Sequence, residues 1–173
     1  MRSVPYEIVR HMGEAELRRY GDLVMVTVYD LDEVEASGLL SKYMKGENDT
    51  GTAIPMTAPI VTRTSNPAEH EWGLSFLLPD DMVLENVPKP DDPRIIVERK
   101  RGGLFAAIRF RGPGGGGDMQ RMTNELTTEL TEADLRMDGR PFLLQYNSRL
   151  TPGFTRRNEV AVRVMPVTVP GNE

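Results

Sequence analysis

The feature that most constrains this chain is an order of elements that occurs twice. Strand, helix, strand, strand is followed by the same series, offset by roughly 85 residues. Leu23–Tyr29 is a β-branched run typical of a central strand, and Leu104–Arg111 answers it in the second half. Asp30 or Asp32 caps a helix reaching about Lys45, with Val34, Leu39, Leu40, Tyr43 and Met44 clustered on one side and Gly38 weakening it. Asp118 caps the second helix, which carries Met119, Met122, Leu126 and Leu130 on one face and stops at Gly139. Strand pairs follow each helix: Met56–Thr64 and Trp72–Leu78, then Phe142–Tyr146 and Glu159–Val164. A helix leading into adjacent strands fits a mostly antiparallel sheet with two helices on it, so the class is α+β. Residue identity between the halves is negligible, and the repeat is one of pattern.

The remaining segments fit around that repeat. Val4 to Tyr20 reads as a strand pair turning at Met12-Gly13-Glu14, and Pro79 to Pro93 as an extended, acid-rich connector. Arg94–Lys100 and Leu104–Arg111 look like a hairpin around Gly102-Gly103. The glycines of Gly112–Gly117 lack the spacing and the Lys-Ser/Thr of a phosphate loop. All 173 residues are expected in one domain, with halves of about 1–80 and 93–165. A net charge of −5 argues against a dedicated nucleic-acid binder. No apolar run approaches the roughly 18 residues a membrane span needs, and Met1–Arg10 has no apolar signal region, so a cytoplasmic location is expected. With no cysteine and only His11 and His70, thiolate sites and histidine-rich metal sites are excluded.

Several stretches are familiar together. Pro5-Tyr6-Glu7-Ile8-Val9 with Ala15–Tyr20 resembles the opening hairpin of the SOUL (haem-binding protein) family. Ile54-Pro55-Met56-Thr57-Ala58-Pro59-Ile60 resembles its "MTAPV" strand opening, and Phe76–Pro79 with Pro88–Pro93 its central connector. Tyr146-Asn147, Thr151-Pro152 and Arg156–Val160 resemble its C-terminal signature. The resemblance implies a distorted antiparallel β-barrel of two pseudo-repeated βαββ halves with two main helices, related to effector-binding domains of the gyrase-inhibitor-like class. It also implies haem or another tetrapyrrole as ligand, in a pocket partly lined by the first helix. Some members ligate iron through an N-terminal histidine, but neither His11 nor His70 falls on that position.

A haem needs an apolar slot for its macrocycle, cations for its propionates and, optionally, an axial donor. The first helix offers Leu39, Leu40, Tyr43 and Met44 with Lys42 and Lys45, two of only four lysines in the chain. These six are the expected binding residues, with core packing as the ordinary alternative for the apolar ones. Met44 or Tyr43 are candidate iron donors. Arg156-Arg157-Asn158-Glu159 either grips a propionate or forms an ion-pair network around the last strand, and Glu159 is a candidate base if buried. No nucleophile elbow or Ser-His-Asp set is present, so the expected role is non-catalytic haem handling or buffering. The alternatives are an effector-binding module for other apolar or cationic small molecules, or an enzyme that removes iron from haem or hydrolyses a small substrate.

Overall fold

The computed structural model describes residues 2–63, 72–146 and 152–167. The N-terminal strands pair as expected, β2 (Glu7–Met12) on β3 (Ala15–Tyr20), around Gly13 with a φ of 59°. Before them, β1 (Arg2–Ser3) lies parallel to β5 (Thr57–Arg63). The first repeat consists of β4 (Leu23–Tyr29), α1 (Glu33–Met44), β5 and β6 (Gly73–Leu77). Then β7 (Ile96–Lys100) leads into the second: β8 (Gly103–Arg111), α2 (Gly116–Glu132), β9 (Leu135–Met137), β10 (Phe142–Gln145) and β11 (Arg157–Pro166). The strands form one curled sheet, a half-barrel, in the order β2-β3-β8-β11-β10-β5-β6-β4-β7, and every neighbouring pair in it is antiparallel.

The expected hairpin around Gly102-Gly103 does not form. β7 pairs with β4, while β8 pairs with β3 and β11. The glycine turn therefore carries the chain from one end of the curled sheet into the other half, and Gly21-Asp22 makes the matching crossing from β3 to β4. The two turns press together. A Cβ on Gly102 would lie 2.4 Å from the Tyr20 carbonyl oxygen, and the Asp22 carboxylate accepts from the Gly102 N–H at 2.7 Å and pairs with Arg99. A glycine turn marks a reversal but leaves the partner strand open; the partner is set by which apolar face can be buried.

The second helix also differs. It starts at Gly116, ahead of Asp118, whose carboxylate sits in the first turn and accepts from the Gly114 N–H at 3.3 Å. It ends at Glu132, where Asp134 (φ 56°) turns the chain, and Leu135–Met137 pairs with the end of β11 instead of extending the helix to Gly139. For α1, Asp32 is the cap, accepting from the N–H groups of Val34 and Glu35.

Alternation along the strands sends side chains to two faces. On the outer face, α1 covers Val24, Val26, Val28, Leu74 and Phe76, and α2 covers Leu17, Ala106, Ile108, Val160 and Val162. On the inner face a third cluster, including Met25, Val61, Leu77, Ala107, Leu144 and Ala161, joins the two halves.

Candidate functional site

The inner cluster does not fill the curl of the sheet. A cavity of about 60 Å³ remains, floored by Met25, Val61, Leu77 and Leu144 and walled by Tyr20, Phe105 and Phe142. The aromatic rings meet edge to face, with Tyr20–Phe105 centroids 5.6 Å and Phe105–Phe142 centroids 6.2 Å apart. Cations complete the lining: Arg63 from β5, Lys100 from the end of β7 and Arg101 from the crossing turn. The Lys100 Nζ lies 5.2 Å from the Phe142 centroid and 5.6 Å from that of Phe105, and the Arg163 guanidinium is 4.6 Å from Phe105. Arg163 donates to the carbonyls of Gly102 and Arg101, which holds the turn against the mouth. Burial, then the nearby Arg63 and Arg163 charges, lower the Lys100 ammonium to a pKa of about 8, with Glu98 opposing them. In a chain of net charge −5, this is a locally positive, apolar-walled site.

Two polar knots flank it. In the first half, Glu98 accepts from Tyr29 at 2.6 Å, Thr27 at 3.2 Å and Arg63 at 3.1 Å, while Thr27 and Ser75 share a 2.7 Å hydrogen bond. In the second, Arg18 and Glu159 form a two-pronged pair at 2.8 and 2.6 Å. The Arg18 and Glu159 side chains are 2% and 0% exposed. Burial pushes the Glu159 carboxyl upward, but the Arg18 guanidinium outweighs it and holds the acid below its ordinary range. Arg109 and Arg157 approach the same carboxylate at 3.7 and 3.6 Å. Glu159 is thus buried, but as a paired anion whose oxygens are committed to guanidinium groups. Of the two readings of the C-terminal Arg/Glu run, the geometry matches the ion-pair network.

The six helix residues singled out from the sequence sit elsewhere. Leu40, Tyr43 and Met44 belong to the core beneath α1, on the opposite face of the sheet from the cavity, and Leu39 packs against that core. Tyr43 donates its hydroxyl to the Pro88 carbonyl at 2.7 Å, and burial, then the Asp49 charge, push its phenol up to about 12. Lys42 and Lys45 are exposed. Ala36, Leu40, Tyr43 and Met44 of α1 fill the core, whereas Val34, expected on the same side, is exposed with Lys42 and the capping Lys45, and Leu39 is only partly covered. His11 is exposed on β2, and His70 lies outside the described residues. Trp72 packs against the α1 core. Lys100, Arg101, Phe105 and Phe142 were not singled out. The signal available was the Lys100-Arg101 pair beside Gly102-Gly103, which a hairpin reading places at a distant tip.

Two βαββ halves closing on a half-open apolar cavity with a cationic rim define the class: an α+β half-barrel. The SOUL heme-binding protein family matches residues 1–163, and the chain belongs to that family. No curated protein matches the sequence. Among solved structures, the fold is similar to the "EcmrR C-terminal domain" (TM-score 0.62, 13% identity, 94% of this chain and 99% of that one). It is also similar to "a hydrolase from Listeria innocua" (TM-score 0.61, 14% identity, 91% and 94%). A chain of the "EcmrR-DNA complex in EcmrR-RPo" matches at TM-score 0.64 and 11% identity over 88% of this chain, which spans only 57% of that one. At these identities the likeness is one of fold.

Proposed function

We propose that this chain binds a tetrapyrrole, haem foremost, at the mouth of the inner cavity, with a role in cytoplasmic haem handling or buffering. The observation that carries the reading is the coincidence of an apolar and aromatic wall with Arg63, Lys100 and Arg101 in one lining. A macrocycle with two propionates requires that pairing of surfaces. The chemistry of the donor set fits the ligand, whereas the volume limits where it sits. A cavity of 60 Å³ has room for about four waters, so the rim residues would hold the macrocycle at the opening while Tyr20, Phe105 and Phe142 supply apolar contact. When bound, haem supplies its iron as a site for an axial donor. Among the described residues no histidine lines the cavity, and affinity would come from buried macrocycle area at about 25 cal/mol per Å², less the costs of association.

Titration of haem into the pure protein, followed at the Soret band, tests this. Charge reversal of Lys100 and Arg101 together should weaken binding roughly two- to thirtyfold, as two ionic contacts of about 0.2–1 kcal/mol each allow. Reversal of Lys42 and Lys45 should leave it unchanged. The opposite result would move the site to the exposed face of α1, and no Soret shift at all would favour the effector-binding alternative. Replacing both His11 and His70 with Ala should leave the Soret position intact.

A further inference from the structure

We propose that Lys100 is a reactive amine that condenses reversibly with the carbonyl carbon of a small anionic aldehyde or keto acid in the inner cavity. This goes beyond the tetrapyrrole reading and does not rest on it. Lys42, Lys45 and Lys89 are exposed, whereas Lys100 is half-buried and lines a cavity. Its amine hangs over the rings of Phe105 and Phe142. Among the described residues no carboxylate forms an ion pair with it. Glu98, the acid that faces it from its own strand, is taken by Arg63 at 3.1 Å. Arg63 on β5 and Arg163 on β11 face it as like charges. A lysine desolvated in an apolar site beside other cations is the usual form of an amine nucleophile.

Proton occupancy agrees with that geometry. With a pKa of about 8, roughly a tenth of Lys100 is neutral at pH 7, against fewer than about one in a thousand for an ordinary lysine. The neutral nitrogen lone pair attacks the carbonyl carbon, forming a C–N bond as the C=O π pair moves to oxygen. Nitrogen loses a proton and oxygen gains one through solvent at the open mouth. A second proton from solvent then adds to that hydroxyl, the C–O bond breaks as water leaves, the nitrogen lone pair forms the C=N bond, and a protonated imine remains. Arg63, Arg101 and Arg163 favour a substrate that carries its own carboxylate. A cavity of 60 Å³ suits an acid of two or three carbons better than a macrocycle.

The test uses the full chain at pH 7 with glyoxylate and cyanoborohydride, which reduces the imine to a stable carboxymethyl-lysine, followed by peptide mass mapping. Labelling at Lys100 should exceed that at each of Lys42, Lys45 and Lys89 by about tenfold or more. Acetaldehyde, which lacks the carboxylate, should label Lys100 several-fold less. Even labelling of all four lysines, or labelling confined to the exposed three, overturns the proposal. Equal labelling by the neutral aldehyde overturns the preference for an anion. Lys100→Arg keeps the positive charge but has no nucleophilic amine, and should abolish the adduct with the fold preserved by circular dichroism; an adduct that persists in this variant overturns the proposal. Selective labelling of a protein that does not bind haem would overturn the tetrapyrrole reading alone. A haem titration that succeeds without selective labelling would overturn this proposal alone.

Discussion

The two halves place opposite charges at matching positions. Met25 is the third residue of β4 and faces Glu98 on β7; Phe105 is the third residue of β8 and faces Arg18 on β3. Both charged side chains turn to the inner face, but their surroundings differ. Glu98 and its partner Arg63 are 24% and 31% exposed, and hydroxyls of Thr27 and Tyr29 share the load. Arg18 and Glu159 are sealed from water. A half-exposed carboxylate that loses its partners can turn to solvent, whereas a sealed one cannot, so burial rather than the number of contacts sets what each knot contributes. Both knots reach the cavity wall, the wetter one through Arg63 and the dry one through Arg18, which donates to the Tyr20 hydroxyl at 3.1 Å.

The largest test of that contrast is Glu159→Ala, which leaves Arg18 buried without its main counter-charge. It should cost about 3–5 kcal/mol in denaturant unfolding, and replacing Arg18 and Glu159 together with Met and Leu should recover most of the loss. If the double variant is as unstable as the single one, the pair matters for something other than charge compensation. The Glu159 acid is held below its ordinary value in the folded state. Its contribution is therefore fully present above the unfolded carboxylate pKa of about 4.3 and is lost as pH falls through the folded value. An acid-unfolding curve of Glu159→Ala set against the native chain should show the two converging at low pH.

Glu98→Gln should cost less, about 1–2 kcal/mol, because water can reach the orphaned donors. Equal losses at Glu98 and Glu159 would erase the distinction between the halves. Tyr43→Phe removes the hydroxyl from the Pro88 carbonyl and should cost about 0.5–1.5 kcal/mol by thermal melting. It should not alter haem binding, since the side chain faces the α1 core.

The last expected change is one of slope. The Lys100 pKa is lowered in the fold, so between about pH 8 and 10.5 the unfolded chain binds the proton that the native chain has released. Stability from this group is reduced at neutral pH and recovers as pH rises through that window. Lys100→Met should raise stability at pH 7, with the gain shrinking toward pH 10.5. A gain that does not vary with pH would mean that the amine is not desolvated.

Much of the architecture was legible in the residues, for reasons that are local. The β-branched run Leu23–Tyr29 and the turn at Gly13 act within a few positions of themselves and formed where the pattern placed them, and of the two candidate caps, Asp30 and Asp32, the structure uses Asp32. Period-two alternation also sorts β4 and β11 into two faces before any partner is known. The helix residues Leu40 and Tyr43 illustrate the limit: amphipathic spacing shows that a face is apolar, not whether core or ligand will cover it.

What tertiary structure alone decided is which strand lies beside which. The turns at Gly21-Asp22 and Gly102-Gly103 read as local reversals, yet both carry the chain between halves: β3 pairs with β8 and not with β4, and β7 pairs with β4 and not with β8. That exchange brings Lys100 to Phe105 and Phe142, and it joins Arg18 to Glu159 across 141 positions of sequence. No local preference encodes such meetings. They exist because closing the sheet excludes water from one particular set of side chains, and desolvation then gives those charges their partners, their pKa shifts and their chemistry.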